Sequence, residues 1–142
     1  MTAIKTRIKK APKYGIVEKR YDKIVKDIIA SGVQDTMNTA KTSIQQHQSS
    51  GVTYKKYNPN RSHTASAAGN PPNSDTGFLA NNIFMSLDAD KLGGAVESRA
   101  DYSSHLEFGT RSMQARPFLQ PALEENRPKI RRKFVRLKLR GV

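Results

Sequence analysis

The chain contains no cysteine and no tryptophan. Without cysteine it forms neither a disulfide framework nor a metal site built on thiolates. No apolar run approaches the ~20 residues that a membrane-spanning helix needs, and no apolar block follows the basic N-terminal residues as it would in a secretory signal. The composition therefore predicts a soluble protein made inside the cell. A length of 142 residues without an internal repeat predicts a single domain, residues 1–142.

Acidic residues are missing from both ends of the chain. Residues 1–13 carry five basic side chains and residues 127–142 carry eight, whereas all 12 acidic residues lie between these segments. The central part is neutral, so the two ends hold the whole net charge of +13. This distribution favours local contact with DNA or with an acidic protein; solvated ends that only keep the protein soluble are the alternative. The residues expected to make such a contact are Lys5, Arg7, Lys9, Lys10, Arg131, Arg132, Lys133 and Arg136.

Motifs for chemistry are missing as well. His47, His63 and His105 lie far apart, and none is followed three or four residues later by a metal-ligand partner. The chain has no phosphate-binding glycine loop, no nucleophile elbow and no motif that reads DNA bases. We therefore predict that the protein is not an enzyme, uses no cofactor or metal, and contacts DNA, if at all, without sequence preference.

The first third of the sequence predicts a strand and a long helix. Ile4, Thr6 and Ile8 alternate with basic residues, which is typical of a short edge strand that ends at Pro12. From about residue 16 to 47, apolar side chains recur every three or four positions, as in an amphipathic helix. Unbroken, ~32 residues would span ~48 Å, so we expect the helix to pack on a second helix or a neighbouring subunit. The Ser31-Gly32 step predicts a kink or a break.

The middle of the sequence is less regular. Residues 52–57 have strand composition, and 58–75 are rich in Asn, Pro, Ser and Gly, which predicts a long loop that either reaches a neighbouring subunit or is a tolerated surface excursion. Residues 78–87 are apolar and compatible with either helix or strand. Residues 95–98 indicate another strand. Together with the helices, these segments predict an α+β fold, with a long N-terminal helix and a C-terminal helix packed on a small, mostly antiparallel sheet.

Residues 102–122 predict a helical turn, a glycine stop, a polar loop and a helix opened by proline. We expect Tyr102, Leu106 and Phe108 to cover one apolar surface, and Gly109 to adopt a positive φ at the helix end. Pro117 suits a first helical turn, before an apolar stripe of Phe118, Leu119, Ala122 and Leu123.

Two further expectations concern Glu107 and Pro128. We expect Glu107 to pair with Arg111 or Arg116 rather than to act in catalysis. Pro128 predicts a kink or restart in the last helix, and the residues beyond it fit a helix better than a strand.

Residues 102–122 also resemble the small tail-completion, or head–tail joining, proteins of long-tailed bacteriophages. The family pattern contains Glu-Phe-Gly-Thr after an aliphatic residue, and then Arg-Pro-Phe-Leu and Pro-Ala. A second family element is a Thr-Gly-x-Leu step, and the two elements occur here in the family's order. The matching residues are Thr76, Gly77 and Leu79 in the Thr-Gly step, and Tyr102, Leu106, Glu107, Phe108, Gly109, Thr110, Arg116, Pro117, Phe118 and Leu119 in the longer motif. The 58–75 segment is longer than is typical of the family.

The resemblance implies a virion structural protein that forms a ring at the head–tail junction, with six copies, or twelve at the neck. Its implied partners are the head connector or adaptor on one side and the tail-tube or tail-terminator protein on the other, around the channel for packaged DNA. Made in the host cytoplasm, it would reside in the virion and not in a membrane. The alternatives from other classes are a nonspecific DNA-binding protein that uses its basic ends, and another minor neck or head component. The motif residues are then expected at the fold's corner or at an interface.

Overall fold

The computed structural model describes residues 2–7, 15–46, 50–58 and 60–139. The elements follow one another as β1 (Thr2–Arg7), α1 (Gly15–Gln46), β2 (Thr53–Tyr57), β3 (Asn60–Thr64), α2 (Phe78–Asn81), β4 (Ile83–Leu87), β5 (Gly93–Ser98), α3 (Ser103–Phe108) and α4 (Leu119–Leu139). The predicted α+β class, with a long N-terminal helix, a C-terminal helix and antiparallel strands, is confirmed.

The larger sheet has three antiparallel strands in the order β1-β5-β4. Val96 in the central strand lies opposite Ile4 on one side and Met85 on the other. The N-terminal strand therefore lies at an edge, as its alternating pattern predicts. Pro12, predicted to end that strand, lies outside the described residues.

The first helix runs without a break through Ser31-Gly32, so the predicted break is wrong. Gly32 is buried, and a Cβ atom built on it would lie only 2.7 Å from the Ile130 side chain of α4. The glycine thus allows the close approach of two helices. Ser31 donates its hydroxyl proton to Ile28 O within the same helix (3.0 Å), which is compatible with helical geometry.

Helices α1 and α4 pack antiparallel, which confirms that the long helix lies against a second helix. Asn126 is fully buried, and its amide Nδ2 donates to Thr39 Oγ1 across the helix pair (2.8 Å) and to Ala122 O (2.8 Å). Two turns further along α4, Lys133 Nζ contacts Ser31 Oγ at 3.0 Å and Asp35 Oδ2 at 3.5 Å. These polar contacts fix the register of the two helices, because a slip would leave buried groups unpaired.

The core forms around the second half of α1, which contacts both the sheet and α4. Its buried residues come from α1, α2, β4, β5 and α4, and they include Ile29, Val33, Ala40, Ile44, Leu79, Ile83, Val96, Phe118, Leu119 and Ala122. Along β4 burial alternates between Ile83, Met85 and Leu87 on the core side and Phe84 and Ser86 on the exposed side. Such alternation is expected of a sheet with one covered face.

The middle of the chain corrects two expectations. The apolar stretch 78–87 is both helix and strand: one turn of α2 precedes β4. Residues 58–75 are not a loop throughout, because Asn60–Thr64 form β3, which pairs antiparallel with β2. The remainder is held by backbone hydrogen bonds from Gly69 N to Ala115 O (2.9 Å) and from Ser74 N to Ile44 O (3.2 Å).

The last helix continues through Pro128, so the predicted kink or restart does not divide it. Proline leaves the carbonyl of Glu124 without its helical donor, but both residues are exposed on the solvent side. The preference for helix over strand beyond residue 130 is confirmed as far as Leu139. Phe118, Leu119 and Ala122 are buried, as their predicted stripe requires.

Replacing Phe118 with Ala is expected to lower the free energy of unfolding by about 3–5 kcal/mol, because the ring is only 1% exposed within the core. Chemical denaturation followed by circular dichroism measures this loss. Phe108→Ala is the matched control: that ring is 69% exposed, so its removal should change stability little. Equal losses in the two variants would contradict the packing described.

Candidate assembly interface

The two sequence motifs meet at one place in the fold. The ring of Phe78, which follows the Thr76-Gly77 step, lies 6.2 Å from the ring of Tyr102, centroid to centroid. Both motifs line one cavity of about 300 Å³, to which Thr76, Gly77, Leu79, Leu106 and Arg116 also contribute. Segments more than 20 residues apart in sequence therefore form a single corner, built from α2, α3 and the loop that leads into α4.

Glu107 fixes the start of α4. Its buried carboxylate accepts hydrogen bonds from the backbone N–H groups of Phe118 (2.9 Å), Leu119 (3.0 Å) and Gln120 (2.8 Å). The first N–H groups of an α-helix have no partner within the helix, and the next residue, Pro121, has no N–H at all. One side chain thus satisfies every free donor of the first turn, and its negative charge lies at the positive end of the helix dipole.

This arrangement corrects the expected partners of Glu107. No ion pair joins it to Arg111 or Arg116 among the described residues. Its partners are backbone groups 11 to 13 residues further along the chain. Glu107 is accordingly a helix cap supplied from another helix.

Gly109 allows the chain to leave α3 towards that cap. Its φ of 75° and ψ of −178° lie in a region that is almost restricted to glycine. A Cβ atom there would also lie 2.7 Å from Met113 O. The predicted positive φ is confirmed. The following loop is a tight turn, in which Thr110 and Met113 exchange backbone hydrogen bonds, and Thr110 Oγ1 accepts from Met113 N (3.1 Å).

The backbone of Arg116 is hydrogen-bonded within the corner, whereas its guanidinium group has no acidic partner among the described residues. Its N–H donates to Leu106 O (2.6 Å), which ties the loop to α3. Its guanidinium Nη1 lies 3.9 Å from Met113 Sδ, and its buried Nε has no hydrogen-bond partner. Within the part of the chain that the structure describes, no carboxylate pairs with this arginine.

Three aromatic side chains of the corner are exposed. Phe108 is 69% exposed, Phe78 52% and Tyr102 43%. The expectation that Tyr102, Leu106 and Phe108 cover one apolar surface is therefore wrong; of the three, only Leu106 packs against the core. Leu106 and Phe108 lie two residues apart in α3 and therefore on different faces of the helix. Leu106 packs against the core, and Phe108 is exposed. Exposed aromatic side chains, such as the neighbouring pair of Phe78 and Tyr102, are typical of interaction surfaces.

A cluster of charged residues borders the same cavity. Asp75 accepts a hydrogen bond from Lys56 Nζ and lies 3.1 Å from Arg61 Nη2 and 3.7 Å from His63 Nδ1. The Lys56 hydrogen bond, helped by the charges of Arg61, Lys56 and His63, holds the pKa of Asp75 below its usual 3.8, against the opposing effect of burial. These contacts attach the β2–β3 hairpin to the rest of the fold. Burial, together with the charge of Asp75, raises the pKa of Tyr102 above 10.0.

The basic residues predicted to contact DNA or an acidic partner lie in two elements, as far as the structure describes them. Lys5 and Arg7 lie in β1, opposite Ala95 and Gly93, and Lys9 and Lys10 lie outside the described residues. On α4, Arg131, Arg132 and Arg136 are exposed, whereas Lys133 turns inwards to α1. Lys133 is therefore a contact between helices rather than a free cation.

Sequence reasoning missed the Asp75 cluster and Ser66, a buried residue whose hydroxyl has no hydrogen-bond partner and which also lines the cavity. A signal for the cluster was present: Asp75 is the single acidic residue between Asp35 and Asp88, and it follows a stretch with several cations. Ser66 carries no comparable signal. Among the described residues no group of His, Asp and Glu side chains is arranged to hold a metal ion, and no helix could span a membrane.

Comparisons with protein-family models, with curated proteins and with solved structures gave no match for this chain. The geometry of the corner must therefore be interpreted on its own terms.

Replacing Glu107 with Ala is expected to lower the free energy of unfolding by roughly 2–4 kcal/mol, because three backbone donors of α4 lose their acceptor. Glu107→Gln keeps the shape and one acceptor oxygen, so its loss should be smaller. The control is Glu125→Ala, which removes an exposed carboxylate that pairs with Lys129 one turn away and should cost about 0.5 kcal/mol or less. Denaturant melts of the three variants would contradict the capping role if Glu107→Ala resembled the control.

Replacing Asp75 with Asn is expected to lower the melting temperature at neutral pH and to have progressively less effect in acid. A carboxyl group whose pKa is lowered by folding stabilises the fold while it is ionised, and this contribution disappears as the pH falls from 3.8 through the lower folded-state pKa. The difference in melting temperature between the wild type and the variant should therefore be widest near pH 7 and should narrow as the pH falls below 3.8. Asp101→Asn, at an exposed carboxylate, is the control. A difference that stayed constant across this range would rule out the ionised cluster.

Proposed function

We propose that this protein is a bacteriophage virion protein that assembles into a ring at the head–tail junction and joins the head connector to the tail tube. The single observation that carries the proposal is the meeting of the two motif segments in one corner. The two motifs resemble the family in their residues and in their order along the chain. That order does not imply that residues 76–79 contact residues 102–119. Their contact through Phe78, Tyr102 and the shared cavity is what a common structural role of the two motifs would require.

The individual motif residues support a structural role. Glu107, Gly109 and Thr110 are used to set the angle between α3 and α4, through a helix cap, a glycine conformation and a tight turn. Phe118, Leu119 and Leu79 are core residues. These residues determine the backbone geometry of the corner. In a ring, each subunit must present the same shape to its neighbours, so such residues suit a ring-forming protein.

The exposed motif residues support a role in assembly. Phe108 makes no contribution to the core although it lies between two residues that the corner requires, Glu107 and Gly109. Phe78 and Tyr102, whose rings lie 6.2 Å apart, are half exposed as well. Aromatic side chains near the centre of an interface commonly supply much of the binding free energy. On this proposal, Phe108 contacts a neighbouring subunit, and the ring has six copies or, at the neck, twelve.

A second candidate, nonspecific DNA binding, is favoured by one observation. Arg131, Arg136 and Lys138 are exposed on α4 and make no ion pair among the described residues. Three free cations along one helix suit contact with phosphates. In a ring, the same side chains would face either passing DNA or an acidic neighbouring protein.

Light scattering on protein purified in high salt with nuclease treatment distinguishes the candidates. The wild type should form a discrete hexamer, or a series of species that approaches one as concentration rises. A strict monomer whose mass increases only after DNA is added would favour nonspecific DNA binding instead.

Phe108→Ala is expected to fold with an unchanged melting temperature but to raise the concentration needed for assembly about tenfold, or ~1.4 kcal/mol. The matched control is Tyr57→Ala, at an aromatic ring that is 86% exposed at the end of β2 and belongs to neither motif. Sedimentation velocity over a dilution series measures both variants. Assembly by Phe108→Ala at wild-type concentrations would remove Phe108 from the interface.

A further inference from the structure

The cavity at the corner contains polar groups without partners. Ser66 is 1% exposed, and its Oγ has no hydrogen-bond partner; the Nε atom of Arg116 is likewise buried and unpaired. Buried polar atoms without partners are rare in folded proteins because each costs free energy that a hydrogen bond would recover. The chemistry that satisfies both an arginine and a serine hydroxyl is an acceptor with negative charge, such as a carboxylate.

The charges around the cavity agree with that requirement. Lys56, Arg61 and Arg116 provide three positive charges, and Asp75 provides the one carboxylate beside them. Asp75 is occupied by the two cations of the β2–β3 hairpin, and no other carboxylate of the described residues pairs with Arg116. The rest of the lining is largely apolar, with Leu79, Phe78 and Leu106 among its members. A carboxylate at the tip of a short turn fits such a surface.

The same chain presents an acidic turn between β4 and β5. Asp88 and Asp90 are exposed there, and neither makes an ion pair within the described residues. Asp90 Oδ1 accepts from Leu92 N (2.9 Å) and so holds the turn, whereas no described residue hydrogen-bonds to the side chain of Asp88. Of the two carboxylates in this turn, Asp88 is therefore the one that no described contact occupies.

The cavity and the turn lie at opposite ends of the β4–β5 hairpin. At one end Arg99 N donates to Asn82 O (2.9 Å), next to α2; at the other, Asp88 N donates to Gly93 O (3.0 Å). The five residues of β4 separate these ends by about 16 Å. A chain cannot place its own rigid turn in its own cavity, but a second copy can. Two different surfaces at opposite ends of one element give a heterologous contact, which closes into a ring when the rotation between copies allows it.

We propose that the cavity receives the β4–β5 turn of a second copy of this chain, with the partner's carboxylate at position 88 paired to Arg116. This pairing deepens the proposed ring and rests on it. It makes the interface head-to-tail, so each copy supplies a cavity to one neighbour and a turn to the other.

The test uses two single variants of the full chain, Arg116→Gln and Asp88→Lys. Each is expected to raise the dissociation constant for self-association about thirtyfold or more, with melting temperatures showing that each remains folded. Asp27→Lys makes the same charge change at an exposed carboxylate of α1 and should associate like the wild type. If Arg116→Gln failed to fold, Asp88→Lys would still test the pairing, because it lies in an exposed turn.

Mixing the two variants gives the sharper result. An Arg116→Gln chain keeps its turn and an Asp88→Lys chain keeps its cavity, so an equimolar mixture should form heterodimers, with one intact contact, and no ring. Native mass spectrometry distinguishes such heterodimers from monomers and from closed rings. Rings of unchanged stability in both single variants would overturn the pairing while leaving the ring intact. A wild-type chain that stayed monomeric at every concentration would overturn the ring and the pairing together.

Discussion

The corner of this molecule depends on one carboxylate. Glu107 lies in a short helix, yet its hydrogen bonds go to the first turn of α4, a helix that supplies much of the core. Because all three donors point at one side chain, the position of α3 determines where α4 begins and in which direction it leaves. The packing of α4 on α1, the burial of Phe118 and the exposure of Phe108 follow from that direction. A buried charge of this kind is tolerable because it is fully hydrogen-bonded and lies at a helix N-terminus.

A second carboxylate, that of Asp75, lies beside the cavity and forms ion pairs instead of capping a helix. Asp75 is held by side-chain cations rather than by backbone groups, and it attaches a hairpin that has almost no apolar contact with the core. The corner thus combines a rigid support, fixed by backbone hydrogen bonds, with a hairpin whose attachment depends on ionisation. The cavity lies between these two regions and contains the unpaired Ser66 Oγ and Arg116 Nε. Buried polar atoms without hydrogen-bond partners therefore lie close to two well-defined polar contacts.

The parts of the fold that could be predicted from the sequence are those determined by local pattern. The apolar spacing of α1 and the alternation along β1 are properties of adjacent residues, and both elements are present. β3 could not be predicted, because Asn60–Thr64 contains no apolar residue and is a strand only through pairing with β2 and contact with Asp75. The role of Glu107 was equally hidden, since its partners are backbone N–H groups, which carry no residue identity. The exposure of Phe108 was missed because a six-residue helix is too short for spacing to assign its faces.

The backbone of helix α1 is continuous, but its two halves differ in how much they pack against the rest of the fold. From residue 28 onwards it contributes a buried side chain at almost every turn, whereas residues 19–27 contain none, and only Val25 among them packs against the core. Protection of backbone amides against hydrogen exchange reflects such support rather than helicity itself. The amides of α1 are therefore expected to divide into a slowly exchanging part from Ile28 onwards and a more rapidly exchanging part before it.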